Sequence, residues 1–212
     1  MTLARLIAQQ LSSPTGVWGT LAGLLWNRRN AALNDTVLTL LDLQPADRVL
    51  DVGFGGGYLL QRMARSVTAG CLAGVDVSPD IVASTARRCD SAVRAGALDL
   101  RCAPVEALPF ADGQFNKASS VNSIFYWQDA PQGLREIRRV LVPGGRLVLC
   151  FTRKASMETR EFAKNIRLYE DGEVEQMLAE AGFEVLQSDL HADRHRQYWC
   201  VMALSQPAGP VP

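Results

Sequence analysis

The chain has 212 residues, 48% of them hydrophobic and 21% charged, which suits one medium-sized α/β domain with its own core. Its 22 basic and 22 acidic side chains cancel, so no phosphate-tracking surface is expected and nucleic acid is disfavoured as the main partner. The five cysteines (Cys71, Cys89, Cys102, Cys150, Cys200) match neither a zinc site nor a disulfide framework; reduced, mostly buried thiols in a cytoplasmic protein, with no metal, are expected.

Leu3, Leu6, Ile7 and Leu11 make a helical stripe that Arg5, Gln9 and Gln10 interrupt, so it reads neither as a signal peptide nor as a membrane span. Ser12-Ser13-Pro14-Thr15-Gly16 breaks it, and a second helical stretch runs from Val17 to Asn27 with Trp18, Leu21, Leu25 and Trp26. Residues 1–30 thus read as a helical extension ahead of one α/β domain, residues 31–204. Leu33, Val37, Leu40 and Leu41 mark that domain's first core-facing helix, ended by Gln44-Pro45-Ala46-Asp47.

The rhythm of a parallel sheet follows. Arg48–Val52 is predicted as a strand, then a helix with Leu60, Met63, Ala64 and Val67, then a strand over Leu72–Val77. Ser78-Pro79 pairs a capping hydroxyl with proline at the first helical position, and Val82, Ala86, Cys89 and Val93 give that helix its face. Strands are predicted over Leu98–Ala103 and Phe115–Val121. Leu134, Ile137, Val140 and Leu141 form a helix stopped by Pro143-Gly144-Gly145, and Arg146–Phe151 is the fifth strand. Glu173–Ala181 is a helix capped by Gly182; Phe183–Asp189 and Gln197–Leu204 are strands joined by a polar loop, and 205–212 is a flexible tail.

The chemistry starts at Val49-Leu50-Asp51-Val52-Gly53-Phe54-Gly55-Gly56-Gly57. A strand that ends in Gly-x-Gly-x-Gly and enters a helix lets the backbone turn tightly, approach a ligand and offer free N–H groups. Asp76, 25 residues after Asp51 at the end of the second strand, is placed to accept both ribose hydroxyls of an adenosine. A dinucleotide fingerprint begun at Gly53 would need Gly or Ala at position 58, where this chain has Tyr58. Asp51 beside the ligand suits the cationic ammonium and sulfonium of S-adenosylmethionine better than a pyrophosphate.

The segments Val49–Gly57, Gly74-Val75-Asp76-Val77-Ser78-Pro79, Val105-Glu106-Ala107-Leu108-Pro109-Phe110 and Arg138–Gly145 together resemble the class I S-adenosylmethionine-dependent methyltransferases. The similarity runs from about residue 33 to 204 and is to the small-molecule branch that includes the ubiquinone/menaquinone-biosynthesis enzymes. It implies a Rossmann-like α/β fold: a seven-stranded, mostly parallel sheet with an antiparallel seventh strand and helices on both faces. It implies S-adenosylmethionine as methyl donor and S-adenosylhomocysteine as product. Gly53, Gly55 and Gly57 would then line the methionyl and ribose part, Asp76 would hold the ribose diol, and Val77 would cover the adenine. Val105 and Glu106 would sit at the adenine edge, with Val121 and Asn122 under the methionine moiety. Pro104 departs from the pattern, standing where relatives carry an Asp that accepts from the adenine amino group, so Glu106 or a backbone carbonyl would have to replace that contact; Asn116 and Lys117 replace an Asp and an apolar residue.

Ligands of open α/β sheets gather beyond the strand ends, so Phe125, Tyr126 and Trp127 after the fourth strand are candidates for the wall of the transfer site, as is Tyr58. Helix packing is the competing role for these aromatics. His191 and His195, the only histidines, flank Asp193-Arg194 between the last two strands; with Tyr126 they are the candidate catalytic groups, against the reading of a solvated polar hairpin. Trp18, Trp26 and Arg28 or Arg29 in the extension would face the substrate if it closes as a lid. The expected acceptor is a small, partly apolar or aromatic molecule, its reacting atom left open, on a monomer or homodimer. A non-catalytic S-adenosylmethionine-binding or regulatory protein on the same fold is the alternative; a nicotinamide-dependent oxidoreductase is disfavoured by Tyr58.

Overall fold

A computed structural model of the protein describes residues 30–170 and 172–207. The helices expected over residues 3–11 and 17–27, with Trp18, Trp26, Arg28 and Arg29, lie outside the described residues. Helix α1 (Ala31–Leu41) leads to β1 (Arg48–Val52), α2 (Tyr58–Met63), β2 (Cys71–Asp76), α3 (Pro79–Arg88), α4 (Asp90–Arg94) and β3 (Leu98–Cys102). Then come β4 (Phe115–Val121), α5 (Ala130–Val140), β5 (Leu141–Thr152), α6 (Glu173–Glu180), β6 (Phe183–Ala192) and β7 (Gln197–Ser205). The seven strands form one sheet in the order β3-β2-β1-β4-β5-β7-β6. Strands β1 to β5 pair in parallel, and β7 is antiparallel to both β5 and β6.

Side chains alternate across the sheet and feed two cores. Leu147, Leu149 and Phe151 of β5 join Leu50 and Val52 on one face, under Leu134, Ile137 and Val140 of α5 and Leu178 of α6. Val148 and Cys150 join Val49 on the other, under Leu33, Val37 and Leu41 of α1 and Leu60 and Met63 of α2. With both faces covered, the central strands read as nearly continuous apolar runs. Each fully buried Leu or Ile here contributes roughly 1.5–3 kcal/mol. The Ser78 hydroxyl caps α3 by accepting from the Ile81 N–H at 3.4 Å, as its position before Pro79 predicts.

The amino edge of the sheet is clamped at Asp47, which is buried. Its carboxylate receives the Gln44 N–H at 2.6 Å, the Asn116 amide at 2.8 Å and the Lys117 ammonium at 2.7 Å. These bonds outweigh burial and hold its pKa below the ordinary value. Asn116 and Lys117 therefore brace the approach to β1, at the end of the sheet away from the glycine turn.

Several expectations are corrected. The stripe from Val82 to Val93 is two helices broken at Cys89, whose backbone (φ −108°, ψ 22°) leaves the helical region while the apolar phase is kept. Helix α5 ends at Val140, because Leu141 is already extended. Pro143-Gly144-Gly145 lies inside β5, where the pairing jumps from Phe115↔Leu141 to Lys117↔Arg146. Strand β6 runs on to Ala192, so His191 is a strand residue and not part of the connecting loop. The chain past Leu204 does not fray at once: Ser205 completes β7, and Gln206 donates its N–H to Gly182 and accepts from Arg138.

The thiols also differ from expectation. Cys150 and Cys200 face each other across β5 and β7 with Cα atoms 4.3 Å apart, and their sulfurs are bonded. That spacing belongs to a non-hydrogen-bonded antiparallel pair, where side chains approach most closely. Cys71 and Cys89 are half-buried and Cys102 is exposed. Among the described residues, no helix is long and apolar enough to cross a membrane, and no group of His, Cys, Asp and Glu is arranged to hold a metal ion.

Candidate active site

The carboxyl ends of β1, β2 and β4 carry the glycine turn and its partners. Gly53 donates its N–H to the Val75 carbonyl at 2.8 Å, and Gly57 closes the turn onto the Phe54 carbonyl at 2.9 Å. Both have φ near +70°, and a Cβ on Gly53 would stand 2.3 Å from that of Ser123. Gly55 also has positive φ, yet a Cβ there would meet nothing within 4 Å. The turn thus has a packed side, at Gly53, and an open side, at Gly55.

Asp76 ties the turn to the end of β2. Its carboxylate oxygens accept from the Gly55 and Ser78 N–H groups, each at 3.0 Å. Burial pushes its pKa up, against the pull of the Ser78, Gly55 and Val77 amides. A carboxylate oriented by two amides keeps lone pairs for a diol. Beside it Val77 is 54% exposed, an apolar surface at the mouth of the turn. Asp51 is a different case. It is 2% exposed and accepts from the Ser119 hydroxyl at 2.8 Å. Burial raises its pKa, the Ser119 bond lowers it and the charge of Asp76 raises it again, to about 7.

Arg88 and Ser123, which carried no recognisable pattern in the sequence, complete the turn together with Asn122, which did. Arg88 of α3 donates to the Gly56 carbonyl at 2.7 Å and to the Thr85 hydroxyl at 2.8 Å, holding the outer side of the turn. Ser123 donates to the Val52 carbonyl at 3.2 Å and accepts from the Trp127 indole N–H at 3.1 Å. Asn122, at φ +55°, accepts from the Thr152 N–H and hydroxyl and donates to Asn30, which also accepts from Arg196. This polar knot joins the ends of β4 and β5, the start of α1 and the β6–β7 turn.

The other candidates separate. Val105 is buried and Val121 half-buried. Glu106 points Oε1 at the N–H groups of Gln128 and Asp129, at 2.8 and 3.0 Å, and so steadies the start of α5. Phe125 is core, stacked on Tyr169 with ring centroids 6.5 Å apart. Tyr126 and Trp127 are half-buried against the same cluster. Burial pushes the Tyr126 phenol up to about 12, so it keeps its proton at neutral pH. Tyr58 opens α2 beneath the Arg62 guanidinium, itself paired with Asp35.

The histidines sit on the β6–β7 hairpin. His191 stacks on Tyr198 across the β6–β7 pair, three strands from β4, or roughly 14 Å at ordinary strand spacing. His195 is exposed in the turn, where its Nε2 accepts from Arg194 at 2.9 Å and its N–H bonds Asp193.

Comparison with known proteins agrees with this geometry. Residues 50–149 match the methyltransferase domain family. The chain is 30% identical to the methyltransferase YdaC of Bacillus subtilis over 77% of its own length and 86% of that protein. It is 36% identical to the ubiquinone/menaquinone biosynthesis C-methyltransferase UbiE of Geotalea daltonii, over 50% of this chain and 45% of that enzyme. Among solved structures, a chain of the complex between the Haloferax volcanii Trm112 methyltransferase activator and a methyltransferase superposes with a TM-score of 0.79. That match has 19% identity and covers 88% of this chain and 94% of the other. The protein belongs to the class I S-adenosylmethionine-dependent methyltransferases. It is an enzyme of that class, with S-adenosylmethionine as its methyl donor.

Proposed function

We propose that the enzyme transfers the methyl group to a small, partly apolar or aromatic acceptor bound beyond the carboxyl ends of β4 and β5. The observation that carries the placement of the donor is the open side of the turn: the space at Gly55, the Asp76 carboxylate oriented toward it and the exposed Val77 lie side by side. Asp76 would hold the ribose diol, Val77 the face of the adenine, and Gly53 to Gly57 the backbone approach to the methionyl and ribose part. Asn122 and Val121 would floor the methionine end. The donor supplies an electrophilic methyl on a positively charged sulfur. The chain's own residues would position the acceptor, exclude water and shelter positive charge with oxygen and aromatic groups.

Tyr126 and Trp127 support an apolar or aromatic acceptor, since both lie half-buried beside the cluster at that edge. Tyr126, holding its proton, would orient an acceptor oxygen or nitrogen by donating to it. The test is calorimetry with S-adenosylhomocysteine on the wild type and Asp76→Ala, followed by mass spectrometry of a broad acceptor panel. Asp76→Ala should weaken binding by ~1–3 kcal/mol, the loss of charged hydrogen bonds. Unchanged affinity would remove Asp76 from the site. Cofactor binding without methylated product from any acceptor would favour a regulatory role instead.

A further inference from the structure

We infer that this enzyme recognises the adenine base by shape and contact, with no side-chain acceptor for its amino group among the described residues, and that Pro104 therefore makes it tolerant of N6-alkylated adenosyl cofactors. The inference rests on the cofactor placement proposed above.

The register of the sheet fixes what stands beside the base. Asp76 pairs with Cys102, and the Ala103 N–H donates to the Asp76 carbonyl at 3.2 Å. The exposed Cys102 thiol donates to the Val77 carbonyl at 3.5 Å. A base attached to a ribose held at Asp76 lies between the exposed Val77 and the segment that follows β3. Along that segment Ala103, Pro104 and Val105 are all apolar, and Pro104 also lacks an N–H. The Pro104 carbonyl accepts from Ala107 in a short 3-10 turn over Val105–Ala107. The first carboxylate after β3, Glu106, is turned toward the head of α5, where Oε1 accepts from the Gln128 and Asp129 amides. Withdrawing it would leave two N–H groups at the head of α5 without that partner.

An adenine amino group in this setting has the solvent as its natural partner. Replacing its hydrogens with alkyl groups then forfeits no charged hydrogen bond, and exposed Pro104 leaves room for them. A carboxylate acceptor would instead discriminate about ten- to a hundredfold, the usual worth of a hydrogen bond to a charged group.

The experiment titrates the wild type and Pro104→Asp with S-adenosylhomocysteine and with its N6,N6-dimethyl analogue, which has no amino hydrogen. Pro104 sits at φ −72° and ψ 152° on the surface, a conformation Asp adopts without strain. The wild type should bind the two nucleosides within about threefold of each other. Pro104→Asp should tighten the parent nucleoside about tenfold and open a gap of tenfold or more against the analogue. A wild type that itself rejects the analogue by tenfold or more overturns the inference while leaving the cofactor site intact. A substituted protein that shows no gap removes position 104 from the amino edge. If the wild type binds neither nucleoside, both the inference and the cofactor placement fall; if the variant does not fold, the wild-type comparison alone decides.

Discussion

Asp51 is a carboxyl group whose charge the fold makes expensive. Its pKa of about 7 lies above the ordinary carboxylate value because it is buried and near Asp76, and the Ser119 hydroxyl compensates only in part. In the free protein the folded state therefore binds this proton more tightly than the unfolded chain does. The stability so contributed is complete below about pH 4 and is lost as pH rises through about 7. Asp51→Asn should flatten that part of the pH–stability curve, read by urea unfolding between pH 4.5 and 8. Ligand binding should run the other way. In the expected placement a cationic ammonium near Asp51 would favour the carboxylate, so affinity for S-adenosylhomocysteine should rise roughly tenfold from pH 5.5 to 7 and then level off. Calorimetry gives the profile, and an Asp51→Asn profile as steep as the wild type's would take Asp51 out of the binding site.

The glycine turn is the element on which these residues converge, and its two sides make opposite predictions. Gly53→Ala places a Cβ against Ser123 in a left-handed backbone, so overlap and strain should cost roughly 2–4 kcal/mol and lower Tm by ten degrees or so. Gly55→Ala meets open space and should cost only about 1–2 kcal/mol of backbone strain, yet lose most affinity for S-adenosylhomocysteine. Thermal unfolding and calorimetry on both variants separate a packing glycine from a ligand glycine; equal effects on both readouts would refute the division. The turn, β1 and β4 were legible because glycine spacing and buried apolar runs are local signals. Arg88 on Gly56 and Ser119 on Asp51 were not, since partners 32 and 68 residues apart leave no local pattern. The end of β6 was obscured for a related reason: Ser188 and Asp189 break its alternation, which an edge strand tolerates because one side faces no other strand. Pro143-Gly144-Gly145 misled because the residues that stop a helix also build an irregular strand.

At the scale of the molecule, the Cys150–Cys200 bond fastens β7 to the parallel part of the sheet across a separation of 50 residues. In the chain-entropy account such a loop is worth about 4 kcal/mol. Thiol titration of the denatured, unreduced protein should find three of the five cysteines reactive, and a reductant should lower Tm by about 5–15 °C. Five reactive thiols would mean that the pair is not oxidised, and the two strands would then rest on their backbone ladder and core alone. The polar knot at Asn30 has a practical side. Asn30 is moored to Asn122 and Arg196, while Gln206 is moored to Gly182 at the other rim of the sheet. A sensor chip or affinity resin coupled beyond Gln206 would hold the enzyme with its working rim turned toward the liquid, whereas one coupled close before Asn30 would turn that rim toward the support.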